Sequence, residues 1–411
     1  MSKNFCLLCD SSSVKPVITF PDTPLANTLF SNKGNAVFYP LGVGICSECG
    51  HIQLTRIISP KILFADYPYL SSSGSQALSR LDSLAEDLNS KYLELDRKFV
   101  LEIGSNDGYL LSQFKNKGWS VLGIDPAKEA SRIAQTKDID NICDFFSLEL
   151  AQKIIQRYGT PDLIIANNVL AHTNSMNDIA AGLTFLMGKS TTLVIEFSYA
   201  VDIIEQMLFD TIYHEHMSYH SLSPLIKFFN KYELTIYNAT KFEAHGGSLR
   251  IFLKKNSSEI VPAQTINSLI KHEFEIGIAT YETWKLFENR INKLKISINS
   301  LLMNLKNSGK RVVGYGVPAK FTTMFYVLGL SEDYFDYLVD DNYLKFGKVA
   351  PGTNLKIFNT EMLKSDTPDY IFIFSWNYSE SIVQRINNER LVKEGYIVPI
   401  PLLTINMIYS S

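Results

Sequence analysis

Tyr213-His214-Glu215-His216, with His220 just beyond it, His172 upstream and His245-Gly246-Gly247 downstream, gathers five of the chain's seven histidines. An imidazole titrates near neutrality, so a cluster of this kind serves proton transfer or metal ligation. Spacing decides between them. Two histidines that share a metal on a helix want the i, i+4 spacing of H-E-x-x-H, and H-E-H lacks it. A Tyr-x-Glu-His group facing a cleft suits general-base work, with His216 as the base, Tyr213 and Glu215 placing or tuning it, and His214 a bystander. The competing structural reading makes these residues polar caps of a helix from Ser221 to Lys231. The His245-Gly246-Gly247-Ser248-Leu249-Arg250 turn reads equally as a close backbone approach to a ligand and as a tight hairpin.

A base needs a reaction, and the elements around the cluster suggest one. The β-rich run Phe99 to Ile103 enters a glycine turn, Gly104-Ser105-Asn106-Asp107-Gly108. A helical pattern follows from Tyr109 to Asn116, and then a strand from Val121 to Asp125, which completes a βαβ unit. A dinucleotide site would carry G-x-G-x-x-G here, and that pattern is missing. Glu102-x-Gly104-x-Asn106-x-Gly108 puts an acid before the turn instead. A carboxylate there repels a pyrophosphate and pairs with a cation. S-adenosylmethionine (SAM) carries an ammonium and a sulfonium and no phosphate. Asp125 would then hold the ribose hydroxyls, and a third strand around Ile142 to Phe146 would offer Asp144 to the adenine. The fourth strand, Asp162 to Ala166, runs into Asn167, Asn168 and His172, at the carboxyl edge where open parallel sheets bind ligands. A fifth strand spans Thr192 to Phe197. Tyr232 to Tyr237 and Ser248 to Lys254 are expected as an antiparallel edge.

Upstream, four of the five cysteines fall as Cys6-x2-Cys9 and Cys46-x2-Cys49. Paired knuckles of this spacing suit tetrahedral zinc held by four thiolates, a closed and therefore structural site. The stretch Phe64 to Gly74 holds Tyr67 and Tyr69 among polar loop residues, and reads as a lid, a substrate wall or a packed connector.

Downstream, Gln264 to Ser308 carries apolar residues at helical spacing and reads as one or two long helices that join domains or form a dimer contact. Lys310 to Lys320 then restarts a strand, a glycine turn and a helix. Gly314 and Gly316 would let a backbone approach a phosphate, with Lys320 adding a cation. Asp341, in Asp340-Asp341-Asn342 at the end of the next strand, would touch ribose or base.

The expected fold is α/β throughout. A zinc-binding domain (1–74) precedes a central Rossmann-like, seven-stranded class I domain (75–260). A helical linker leads into a C-terminal Rossmann-like α/β domain (261–411). The 411 residues are 46% hydrophobic and 20% charged, with a net charge of −3, which argues against a general nucleic-acid or membrane-surface binder. No apolar run approaches the ~20 residues that span a bilayer, and the N-terminus lacks a signal peptide's apolar region. A cytoplasmic protein, monomeric or homodimeric, is expected.

With these motifs assembled, the chain closely resembles the SAM-dependent sugar C-3 methyltransferases, which act on nucleotide-linked 4-keto-deoxysugars. The resemblance rests on the four cysteines, Asp66-Tyr67-Pro68-Tyr69, Glu102 to Gly108, Asn168 to His172, Tyr213 to His216, His245 to Arg250 and Gly314-Tyr315-Gly316. It implies a C-terminal domain that holds the nucleotide sugar, linked through dTDP or GDP. It implies that a base removes the C-3 proton acidified by the 4-keto group, and that the enolate takes the methyl in line with inversion. His216 is then the base, Tyr213 and Glu215 support it, and Tyr67 and His172 line the sugar pocket. Other readings stay open: an O- or N-methyltransferase, an NAD-linked nucleotide-sugar dehydrogenase or epimerase, and a zinc module for nucleic acid.

Overall fold

Three β-sheets organise the chain in this computed structural model, which describes residues 5–29, 36–63, 72, 75–92, 98–244, 246–257 and 260–407. The first sheet is antiparallel, in the order β1 (Val14–Pro24), β2 (Phe38–Cys46), β3 (Ile52–Leu54) and β9 (Ser218–Tyr219). Its last strand comes from far down the chain, immediately after the Tyr213–His216 motif.

The second sheet has seven strands: β4 (Phe99–Ile103), β5 (Ser120–Ile124), β6 (Asn141–Ile142), β7 (Leu163–Asn167), β8 (Thr192–Ser198), β10 (Leu234–Phe242) and β11 (Ser248–Lys255). Their order is β10-β11-β8-β7-β4-β5-β6. β4 to β8 are parallel, β11 inserts antiparallel against β8, and β10 closes that edge against β11. The inner strands are buried on both faces, which is why they read as unbroken apolar runs instead of alternating ones. One face packs on the helix Ser75–Lys91 through Leu81, Leu84, Ala85 and Leu88. The third strand is shorter than the sequence suggests. It stops at Ile142, and Asp144 turns out to solvent with its carboxylate accepting from the Phe145 N–H at 2.8 Å.

The third sheet runs β14 (Ile357–Asn359), β13 (Leu338–Asp340), β12 (Val312–Tyr315), β15 (Tyr370–Ile373), β16 (Gly395–Val398) and β17 (Thr404–Met407). All its pairings are parallel except β16 with β17. Between the second and third sheets lie two helices, Gln264–Ile276 and Tyr281–Asn307. Gly277, left-handed at φ 68, ends the first, and the Thr280 hydroxyl caps the second by accepting from Thr283 N–H. Trp284, Phe287, Ile291, Ile298 and Leu302 form the buried stripe of the longer helix.

The shorter helix carries a buried acid with a structural task. The Glu273 carboxylate accepts from Leu222 N–H, from Ser223 N–H at 2.9 Å and from the Tyr199 hydroxyl at 2.8 Å. It thereby satisfies the first amides of the helix Leu222–Asn230, where a negative charge also suits the helix dipole. That helix begins one turn beyond β9. Glu273→Ala would leave these donors buried and unpaired. We expect it to lower unfolding free energy by about 3 kcal/mol, read by denaturant titration. No helix among the described residues is long and apolar enough to cross a membrane.

Candidate active site

Segment 208–220 is held from all three sheets. From the N-terminal sheet, Leu54 N–H donates to Met217 C=O at 2.9 Å, and β3 pairs with β9 in the register Ile52↔Tyr219 and Gln53↔Ser218. The His214 ring meets Pro40 C=O at 3.3 Å, and Asn27 Nδ2 donates to Glu215 Oε1 at 3.1 Å. From the central sheet, Ala171 C=O accepts from Met217 N–H at 2.6 Å. From the C-terminal unit, Trp376 Nε1 donates to Asp210 Oδ2 at 2.6 Å and the Thr323 hydroxyl to Ile212 C=O at 2.8 Å.

Within this frame His216 is half-buried, and its two ring nitrogens have distinct partners. Nδ1 lies 2.8 Å from the Thr211 carbonyl and 3.2 Å from the Thr211 hydroxyl. A carbonyl only accepts, so Nδ1 carries the proton and Nε2 keeps the lone pair. The Tyr213 hydroxyl sits 2.9 Å from Nε2 and, by that assignment, donates to it. The His172 ring edges onto His216 at 4.9 Å between centroids. Burial pushes His172 down to about 4, so it stands beside His216 as a neutral ring. The cap reading of the motif does not hold: Ser221 is the residue that precedes the helix Leu222–Asn230.

The other histidines have structural surroundings. His214 is buried, with desolvation lowering its pKa. His220 is buried at 1% exposure and pushed down to about 4; it stacks on His51 at 5.5 Å. His51 in turn reaches the Ser218 hydroxyl at 3.1 Å. Tyr67 and His245 lie outside the described residues.

The acid-led glycine turn adjoins this group. Gly104 has φ 70, and a Cβ there would run into Val169, three residues before His172. Asp125 ends its strand with both oxygens accepting backbone N–H groups, from Asn106 and Ala127, each at 2.8 Å. Glu102 is 4% exposed, and burial pushes its pKa well above the carboxylate range, with Asp125 and Asp107 adding to the rise. Two other buried acids are neutralised: Glu196 by Arg80 and Arg250, each at 2.6 Å, and Asp107 by Lys137 at 3.0 Å. Among the described residues Glu102 has no ion-pair partner. Its Oε2 and both side-chain polar atoms of Asn167 are buried without hydrogen bonds. Asn168, at φ 53, turns the chain beside them. Orphaned acceptors and a buried acid with no ion-pair partner among the described residues fit a ligand with a cationic amino-acid end and fit a phosphate badly. Gly108, at φ 72, packs on Ala134 and Ile139 and starts the helix Tyr109–Asn116.

The C-terminal turn differs in detail from its sequence reading. Gly314 lies inside β12, where Leu338 and Phe374 fill the space a side chain would take, so packing requires it. Gly316 makes the turn at φ 89 with Ser375 against it. Lys320 Nζ lies 5.1 Å over the Trp376 ring and near the buried Asp210. The carboxylate that mirrors Asp125 is that of Asp340: it accepts from Val317 N–H at 2.7 Å and Asn342 N–H at 2.8 Å, and pairs with Lys345. Asp341 is taken up by Tyr315, Thr360 and Arg385. Gly246 packs against Leu208 and Trp376, and Gly247, at φ 138, against Asp202, so the first glycine meets the start of segment 208–220 and the second the helix Ala200–Glu205.

At the N-terminus the sulfurs of Cys6, Cys9, Cys46 and Cys49 all lie within 4.8 Å of one another. Cys6 and Cys49 are 3.5 Å apart, as are Cys9 and Cys46. Sulfurs tetrahedrally placed on zinc stand ~3.8 Å apart, so the donor set fits that ion.

The sequence matches known proteins in the same order as these units. Residues 6–64 match the model of a putative zinc binding domain, 77–239 that of a methyltransferase domain and 243–401 that of the C-methyltransferase C-terminal domain. C-methyltransferase NovU of Streptomyces niveus is 29% identical over 96% of this chain and 95% of its own. Solved structures share only a general likeness. Magnesium protoporphyrin IX methyltransferase of Synechocystis PCC 6803 with bound SAM is 16% identical at a TM-score of 0.35, over 49% of this chain and 99% of that one. The PH0226 protein of Pyrococcus horikoshii OT3 is 15% identical at 0.38, over 48% and 99%. The sequence matches, the seven-stranded sheet with its acid-led turn and the four-cysteine cluster agree: the chain joins a zinc-binding domain, a methyltransferase domain and a C-methyltransferase C-terminal domain, the build of a SAM-dependent C-methyltransferase.

Proposed function

We propose that the protein methylates C-3 of a nucleotide-linked 4-keto-6-deoxysugar, with His216 as the base. The observation that carries this reading is the Thr211–His216–Tyr213 arrangement. It ties Nδ1 of the imidazole to the Thr211 carbonyl, sets Nε2 against the Tyr213 hydroxyl and places the His172 ring edge-on beside it. SAM, when bound, supplies the methyl group that the deprotonated carbon takes. Glu102 and Asn167 would hold its amino-acid end, Asp125 its ribose, and Asn106 and Asn168 the walls between, with Asp144 at the outer edge. A carbon acid activated by a neighbouring carbonyl gives its proton to Nε2, and the imidazolium so formed is stabilised by the Thr211 carbonyl on its other side. The Tyr213 hydroxyl, at Nε2, is the donor closest to hand for the developing enolate oxygen. The nucleotide end would lie on the C-terminal turn at Gly316 and Lys320. The test is incubation with SAM and a panel of dTDP- and GDP-linked 4-keto-6-deoxyhexoses, read by mass with fragment analysis. A methyl on C-3 is expected; a methyl on oxygen or nitrogen, or turnover of no member, contradicts the reading.

The buried Glu102 makes SAM affinity depend on pH. In the free protein this acid is protonated below its raised pKa, and a cationic ligand prefers the ionised form. Affinity should therefore be flat at high pH and fall as pH drops through that value, with proton release on binding. Calorimetry in buffers of different ionisation enthalpy reads the proton directly. Glu102→Gln should bind SAM on the order of ten-fold more weakly and lose the dependence.

A further inference from the structure

The N-terminal unit reaches the proposed proton-transfer motif with a side chain as well as with its sheet. Asn27 lies just past β1, and its Nδ2 donates to Glu215 Oε1 at 3.1 Å across 188 residues of sequence. Asn27 sits at φ 62, in the left-handed region. A residue other than glycine held there costs about 1–3 kcal/mol, and such strain persists where surrounding structure and function demand it. Asparagine tolerates the conformation better than most side chains, but glycine would meet it without strain. Conformation alone therefore does not call for an amide at this position. What glycine lacks is the donor, and the donor is spent on Glu215, which is 3% exposed and adjacent to His216.

The rest of the frame explains why such a donor is needed. Thr211 and Tyr213 orient the imidazole of His216. The Glu215 carboxylate is held from a different direction, from outside its own unit. A buried carboxylate that loses a donor loses part of what fixes its orientation, beside a residue whose placement matters. We infer that Asn27 is a positioning residue for the reaction: its amide, presented in a left-handed turn of the zinc-binding unit, holds the Glu215 carboxylate in place beside His216. This rests on the reading of Tyr213–His216 as the proton-transfer site. It makes the N-terminal unit a contributor to catalysis beyond its role as a folded support.

Two variants separate this from a space-filling role. Asn27→Gly keeps the left-handed turn and removes the whole side chain. Asn27→Asp keeps shape and turn but replaces the donor by a carboxylate facing Glu215, and like charges at that distance repel. If Asn27 merely fills space, Asp behaves as wild type and Gly is the worse. If the amide is a donor, the order reverses. We expect kcat on a dTDP-4-keto-6-deoxyhexose or its GDP counterpart to fall about ten-fold in Asn27→Gly and about a hundred-fold in Asn27→Asp. SAM Kd and zinc content should stay within about two-fold of wild type in both. Wild-type kcat in Asn27→Asp, or a loss that follows lost zinc or SAM, overturns the inference. His216→Asn serves as the reference in the same assay. If that variant stays active, or wild type turns over neither acceptor, the underlying site reading has failed and the inference falls with it. If His216→Asn is dead and Asn27→Asp is unimpaired, the inference alone has failed.

Discussion

His216→Asn should bind SAM with wild-type affinity and transfer methyl about 10³-fold more slowly, the middle of the range for a lost general base. The argument is geometric. Asn roughly matches the imidazole in size and can still meet the Thr211 carbonyl with its amide, so the turn that carries it should survive. What disappears is the Nε2 lone pair, which the tautomer leaves as an acceptor and which the Tyr213 hydroxyl meets at 2.9 Å. The proposed cofactor pocket lies along β4, β5 and β7, with Gly104 against Val169, whereas the Nε2 side of His216 meets the Tyr213 hydroxyl. Calorimetry with SAM and single-turnover mass measurements check the two halves separately. Tyr213→Phe, which keeps the base but strips the hydroxyl at 2.9 Å, should cost about ten-fold.

Cys46→Ser should lose zinc and nearly all methyl transfer, by at least about a hundred-fold, while SAM still binds within about three-fold of wild type. Cys46 is fully buried at the end of β2, and its N–H donates to His51 C=O at 2.9 Å, which closes the knuckle leading into β3. β3 is the strand that β9 joins, and Leu54 holds Met217, next to His216. Loosening that knuckle releases the edge against which His216 is set, and a misplacement of about 1 Å can cost a hundred-fold. The proposed SAM pocket lies on a different sheet, one face of which has a separate core around Leu81, Phe114, Trp119 and Leu163. Metal analysis, SAM titration and turnover on one preparation distinguish this outcome from global unfolding, in which SAM binding would go as well.

The central sheet was legible because parallel strands buried on both faces announce themselves as apolar runs, and because an acid before a glycine turn has a charge meaning independent of fold. The four cysteines were legible for the same local reason. His216 could be singled out by spacing, and the fold supplies its partners. One of those partners could not have been read: the Thr211 carbonyl that sets the tautomer is a backbone atom, and every residue has one. Asn27 and Glu273 were also invisible, since each acts across a long separation in sequence and neither sits in a motif. At the C-terminal turn the residue types were right and the register was not. Gly314 serves packing, and Asp340 rather than Asp341 receives the turn's N–H groups, because β13 runs on to Asp340 and sets that carboxylate against the turn. The third central strand shows the converse: Phe146 is buried by packing from a loop, so an apolar pair looked like strand where the chain had already turned away.

Hydrogen exchange at the acceptor carbon tests the central claim most directly. A dTDP- or GDP-linked 4-keto-6-deoxyhexose incubated in D2O with the protein and no SAM should take up deuterium at C-3 with wild type and not with His216→Asn. Methyl transfer by a wild-type protein that exchanges no C-3 proton, or equal exchange by the two proteins, would contradict the assignment of His216 as the base that opens the reaction.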